Sequence, residues 1–308
     1  MWDALLQMAC LIACGAAWRR LRPGGVDPDG ARRALTAAVF HLFLPALVLE
    51  VLWRNPPGLD ALRIAGTAAA VVLLGLAAAG LWCRLARLPG PQAGALVLAA
   101  AFPNATYLGL PVLEATFGPW ARAVAIQFDL YACTPLLLSL GIALAAAWGR
   151  AGEAAHPLGA LLRVPPFWAA LAGTLLGLAG VPLPPALAGL LGLMGAAVVP
   201  LMLLALGLAL RWRAGAAGRA GPLLRLLAPA LALRLLLLPA AGWAVARALA
   251  LGPPLLAPTV LEAAMPSMVF GVVLADRYGL DAALYAALVT VSTTLAFLTL
   301  PLWHALLA

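Results

Sequence analysis

The sequence predicts an all-α polytopic membrane protein. It is expected to have ten transmembrane helices arranged as a five-plus-five inverted repeat, with proline-broken spans 4 and 9 crossing each other. Three observations predict this. Hydrophobic residues make up 65% of the 308-residue chain and charged residues only 10%, with a mean hydropathy of +1.04, whereas a soluble domain carries about a quarter charged residues. The apolar runs are about 20 residues long and do not alternate, which is the pattern of spanning helices and not of barrel strands. Finally, AAAFPNATYLGLPVLEATFG (99–118) and EAAMPSMVFGVVLADRYG (262–279) share a design. AAFPN at 100–104 aligns with AAMPS at 263–267, and LEATFG at 113–118 with LADRYG at 274–279 after a two-residue gap.

Taken in order, the first run (about 3–18) lacks a basic leader and is followed by arginines, so it reads as a helix inserted N-terminus outward and not as a cleaved signal. Spans at about 34–53 and 62–83 follow. The fourth, about 93–117, contains Pro103 and Pro111; a proline removes a backbone donor and collides with the carbonyl four residues back, so this helix must break. The fifth runs over about 120–147. The polar stretch GRAGEAAHP (149–157) is the seam between the halves. The remaining spans lie at about 166–181, 187–210, 226–250, 255–275 (broken at Pro266) and 282–306. The organisation is therefore a first repeat over 1–148, a cytoplasmic connector over 149–165, and a second repeat over 166–308. FLPALVLEVLWR (43–54) resembling VVPLMLLALGLALR (198–211), with Pro45 opposite Pro200, adds to the repeat.

The chain has 19 arginines and no lysine. Fourteen arginines fall in the odd-numbered loops, while Arg54, Arg63, Arg122 and Arg247 lie on the other side and Arg234 lies inside span eight. By the positive-inside bias the odd loops are cytoplasmic and both termini lie outside the cell (inner) membrane. Five spans per half then make the repeat inverted, the arrangement in which a site forms at the midplane between repeats, at interrupted helices. The +8 net charge is thus topology, not a nucleic-acid surface, since no basic segment is interleaved with aromatics. Cys10, Cys14, Cys83 and Cys133 lie in apolar runs without disulfide or zinc spacing. Trp2, Trp18, Trp53, Trp120, Trp148, Trp212 and Trp303 lie near span ends as an interfacial belt.

The candidate site is the pair of breaks. Pro103 and Pro266 free the carbonyls of Ala99 and Glu262, and the half-helices that follow offer unpaired N–H groups suited to an anion. Asn104 and Ser267 put a polar side chain beside each break, and Met265 and Tyr107 flank them; the bland alternative is a pair of packing kinks. Ionisable residues inside the membrane are functional candidates. Asp129 in span five, opposite Thr290 in span ten, either binds a proton or sodium ion or holds the broken helix. Glu262, one turn before Pro266, is a second coupling carboxylate or a hydrogen-bonded structural one. Arg234 pairs with a substrate carboxylate, with Asp129 or with Glu262, or else snorkels to the cytoplasmic surface.

PNATYLGLPVLEATFG resembles the fourth-helix motif of the auxin efflux carrier family, which includes the plant PIN carriers and bacterial malate and malonate permeases. Asn104, Gly109, Leu110, Pro111 and Gly118 carry the resemblance, and Met265, Pro266 and Ser267 fit the family's ninth helix. It extends over essentially the whole chain. The resemblance implies a scaffold of spans 1, 2, 6 and 7 and a mobile transport domain of spans 3–5 and 8–10. It also implies elevator-like alternating access and a homodimer formed through the scaffold. The large cytosolic loop of long PIN carriers is absent here, and its phosphorylation control is not carried over.

The expected function is a secondary transporter of a small organic anion, with no cofactor and with coupling to a proton, to sodium or to neither. An enzyme is disfavoured: His41, His156 and His304 are scattered, and no HExxH, GxSxG or cysteine cluster occurs. Without a P-loop motif or any lysine, the chain cannot itself drive ATP-dependent transport. The alternatives are a channel or non-transporting sensor on the same fold, or a carrier of a neutral metabolite.

Overall fold

A computed structural model describes residues 2–149, 159, 162–210 and 220–307. Most of the expected connector at 149–165, His156, Trp212 and three loop-seven arginines (Arg211, Arg213, Arg219) lie outside the described residues. The helices are α1 (Trp2–Leu21), α2 (Pro28–Arg54), α3 (Leu59–Leu85), α4 (Gly90–Ala101), α5 (Leu110–Phe117), α6 (Pro119–Trp148), α7 (Pro165–Leu178), α8 (Pro185–Ala209), α9 (Leu223–Ala248), α10 (Pro253–Ala263), α11 (Gly271–Tyr278) and α12 (Ala282–Leu307). There is no strand among the described residues. Prolines open α2, α6, α7, α8 and α10, where the missing N–H would have no intrahelical partner. Asp27 caps α2 by accepting from Gly30 N at 2.7 Å, and Asp281 caps α12 by accepting from Leu284 N at 2.9 Å.

Six of these helices (α2, α3, α6, α8, α9 and α12) are long and apolar enough to cross a bilayer. The sequence leads one to expect ten spans. The expected fourth and ninth are each split in two, so neither half reaches spanning length, and α4 and α7 are short apolar helices of 12 and 14 residues. The first helix, α1, has 20 residues and ends on Arg19 and Arg20.

Prolines also shape the long helices. Four of the five wide π turns among the described residues, Val39–Phe43, Ala105–Gly109, Asp129–Cys133 and Leu233–Leu237, each end two residues before a proline: Pro45, Pro111, Pro135 and Pro239. Widening the turn makes room for the ring that would otherwise strike the carbonyl four residues back. At Pro239 that carbonyl belongs to Leu235, and it is satisfied from outside the helix by Trp303 Nε1 at 2.9 Å. The freed backbone group thus has a protein partner, as a lipid setting requires.

Glycine sets the closest helix contacts. Gly15 of α1 and Gly207 of α8 face each other, so a methyl on Gly15 would sit 2.9 Å from the Gly207 Cα. On α7, Gly173 and Gly177 form a GxxxG pair against α2, and a methyl on either would lie 2.8 Å from a carbonyl oxygen, of Leu49 and Trp53 respectively. Apolar burial does not separate helix from lipid, so this close backbone approach is what lets such helices pack. Around the breaks, α4 packs on α3 and α12, and α10 packs on α9, α6 and the π turn 105–109.

Candidate functional site

The two breaks meet. After α4 ends at Ala101, residues 102–104 run extended beside 266–268, and Pro103 and Ser267 form an isolated antiparallel bridge. Asn104 N donates to Pro266 O at 2.8 Å, and Met268 N donates to Phe102 O at 3.0 Å. Each break therefore satisfies the backbone of the other. Pro103, Met265, Pro266 and Ser267 are all buried. The two sides are unequal: the first resumes as helix at Ala105, the second only at Gly271.

The freed carbonyls differ from expectation. The Glu262 carbonyl accepts from Met265 N at 3.2 Å as the chain tightens into its turn. The unpaired carbonyls that matter are those ending α4 and α10, and Arg234 binds them. Its guanidinium donates to Ala101 O at 2.9 Å, to Ala100 O at 3.3 Å and to Ala263 O. This corrects two expectations at once. Arg234 forms no ion pair with Asp129 or Glu262, and it does not snorkel: it is fully buried in α9. A cation there compensates the partial negative ends of two helices, and its planar fork suits several carbonyls.

Asp129 is tied down by hydroxyls. It accepts from Thr106, two residues after Asn104, and from Thr134 at 3.0 Å. It thereby ties the first break to α6. In the other half the tie is neutral: Ser267 N donates to Ser292 Oγ at 3.1 Å. Thr290, expected opposite Asp129, donates to the Ala286 carbonyl within its own helix at 2.9 Å. Tyr107 is half-buried beside Thr36 of α2 and away from the bridge.

Several polar atoms at the crossing are buried and have no partner: Asn104 Nδ2, Ser267 Oγ, Arg234 Nε and both carboxyl oxygens of Glu262. Buried polar groups are nearly always satisfied, so such a cluster calls for an explanation. Glu262 lies directly against Gly109, where any side chain would overlap its carboxyl group. Further out, Glu50 pairs with Arg54 at 3.1 Å, and Glu114 pairs with Arg122.

Of the residues that meet at the crossing, the sequence named Asn104, Ser267, Pro103 and Pro266 as candidates and did not point to Thr106, Thr134, Ser292 or the steric role of Gly109. Thr106 carried a signal, being a hydroxyl one turn short of Gly109 in a broken segment. Ser292 carried none, because hydroxyls recur along α12.

Two cavities adjoin this region. One of about 10 Å³ is lined by Thr106, Leu110, Leu130 and residues of α2. The other, about 410 Å³, lies between the start of α3, α6 and α7. Leu130 borders both. Tyr131 and Thr174 hydroxyls meet at 2.8 Å on its wall, linking α6 to α7.

Known proteins are similar to this chain over most of its length. It is 31% identical over 314 residues to an uncharacterized transporter of Methanothermobacter thermautotrophicus, covering 99% of this chain and 98% of the relative. It is 24% identical over 286 residues to an uncharacterized transporter of Methanocaldococcus jannaschii, covering 91% of each. A family profile described as membrane transport protein matches residues 3–304. With an all-helical fold, several spanning helices and a full-length match, the chain belongs to the membrane transport protein family, that of the auxin efflux carriers.

Proposed function

We propose that this membrane transport protein is a secondary transporter, a permease for a small organic anion, most simply a carboxylate. The observation that carries the reading is the pair of buried, unpartnered groups Asn104 Nδ2 and Ser267 Oγ on either side of the Pro103–Ser267 bridge. An amide NH₂ is a donor and a hydroxyl can act as one, so both match the acceptor oxygens of a carboxylate. The half-helices 105–117 and 271–278 start close by and add positive N-terminal ends. The substrate site is Pro103, Asn104, Tyr107, Met265, Pro266 and Ser267, with Tyr107 at its α2 edge. Asp129, Glu262 and Thr290 are the candidates for the group that couples a proton or sodium ion.

In this reading the chain has ten spans in two inverted repeats, over 1–148 and 166–308, with both termini outside the cell membrane. Spans 1, 2, 6 and 7 are a scaffold through which two copies dimerise. Spans 3–5 and 8–10 move as an elevator. The complete burial of residues 263–267 supports a carrier that must rearrange over an open channel.

The test is a thermal-shift screen of purified protein against small mono- and dicarboxylates and their amides, at pH 5.5 and 7.5, with and without sodium. A ligand at a hundredfold excess over its dissociation constant stabilises the native state by about 2.7 kcal/mol. A carboxylate shift that disappears in Asn104→Ala, with the variant still folded and membrane-inserted, supports both substrate class and site. Stabilisation by the amides alone would replace the anion with a neutral metabolite.

A further inference from the structure

Three ionisable side chains are buried around the crossing, and they are not equally provided for. Arg234 has three carbonyls. Asp129 has two hydroxyl donors. Glu262 has nothing: both carboxyl oxygens are inaccessible to solvent and unpartnered, and the group is wedged against Gly109 of the other broken helix. A buried carboxylate with neither donor nor counter-ion is far costlier than a neutral carboxylic acid in the same place.

The groups that face Glu262 supply no relief. From α6 these are Asp129, of like charge, and the thiol of Cys133; Arg234 of α9 shares that thiol's surroundings, but its two terminal nitrogens are committed to carbonyls and its Nε, although unpartnered, makes no hydrogen bond to Glu262. Several ionisable groups of the other elements packed on α10 are engaged elsewhere. Glu114 of α5 is with Arg122, Asp60 of α3 is with Arg63, Tyr107 is beside Thr36, Tyr285 of α12 donates to Met268 O at 3.1 Å, and His304 of α12 stacks near Phe117.

We propose that Glu262 carries the coupling proton of transport, so that the anion is accepted at the crossing only while this carboxyl group is neutral. The inference rests on the organic-anion reading and names its coupling. The charges make the argument. Arg234 and Asp129 cancel formally, so the protonation of Glu262 decides whether the crossing is neutral or net negative. A neutral crossing admits an anion to Asn104 and Ser267, and a net negative one repels it. The proton is taken from water on the side where the anion binds and is returned to water on the other side. Anion and proton cross together, no further reactant is needed, and a monoanion moves without net charge. Gly109 belongs to the device: its missing side chain is what lets the neutral carboxyl group of one broken helix lie on the backbone of the other. Asp129, with its two donors, is a positioning residue.

Two measurements on the purified full-length protein test this. Infrared difference spectroscopy at neutral pH should show the carbonyl band of a free, non-hydrogen-bonded carboxylic acid. That band should be lost in Glu262→Gln, kept in Asp129→Asn and shifted in Gly109→Ala. A wild-type protein without the band, or a band that vanishes in Asp129→Asn, overturns the assignment even if Glu262→Gln does not fold. In proteoliposomes with the membrane potential clamped at zero, one coupled proton accumulates radiolabelled malate or malonate about tenfold per unit of pH gradient. Glu262→Gln should lose that response. A carboxylate that is transported without regard to the gradient overturns the coupling alone. A protein that shows the Glu262 band but transports no carboxylate overturns the organic-anion reading, and the coupling with it.

Discussion

Replacing Arg234 with methionine removes the guanidinium that joins the ends of α4 and α10. Methionine fills similar volume and leaves three buried carbonyls, of Ala100, Ala101 and Ala263, without a donor. An orphaned buried acceptor costs about 1–3 kcal/mol. The Ala100 contact is long at 3.3 Å and counts least, so the gross loss is about 3–6 kcal/mol. Relief from burying a cation offsets about 2 kcal/mol of this, for a net loss on the order of 1–4 kcal/mol. At roughly 2 °C per kcal/mol for a chain of this size, the midpoint of unfolding should fall by about 2–8 °C. The assay is thermal unfolding of purified protein in detergent, followed by tryptophan fluorescence. Arg234→Lys keeps the charge and part of the donor capacity but not the fork, and should fall between the two. Wild-type stability in Arg234→Met, or equal losses in the methionine and lysine variants, would refute the idea that the forked guanidinium holds both helix ends.

Other outcomes follow from the same geometry. Pro266→Ala should impair transport more than Pro45→Ala, because α10 would tend to continue as helix and withdraw the Pro266 carbonyl from Asn104 N; equal uptake rates would remove the ranking. Gly173→Val should destabilise the α2–α7 contact by about 1–3 kcal/mol, since its Cβ would lie 2.8 Å from the Leu49 carbonyl oxygen, and an unchanged melting temperature would contradict it. Asn104→Ala should abolish uptake while leaving the protein folded and inserted, and normal transport by that variant would sink the site.

The breaks were legible because proline acts locally. Pro103 and Pro266 each remove a helix donor wherever they are placed, and their matched polar neighbours marked them as a pair, unlike Pro200 and Pro301, which lie within continuous helices. The ends of the long helices could be read to within a few residues for the same reason: apolar length, arginines and prolines are properties of contiguous sequence. The partners of Arg234 were not legible. An arginine within an apolar run can reach a carboxylate, a headgroup or a carbonyl, and the choice depends on which helix ends lie beside it. Those ends are 133 and 29 residues away in sequence. Ser292 and Thr134 were hidden similarly, since a hydroxyl in a helix can always bond its own preceding turn.

By itself, the sequence determined that this chain lives in a membrane as helices, that two of them are interrupted, and that polar side chains stand at the interruptions. Composition and the backbone donor that a proline lacks are properties of a few contiguous residues. Only the tertiary structure decided that the interruptions bond to each other and that Arg234 closes their helix ends. It alone showed that Asp129 is furnished with donors while Glu262 is left with none. Those outcomes depend on which backbone groups remain unpaired once the helices are packed, and hydrogen-bond satisfaction in a buried interior belongs to the assembled packing.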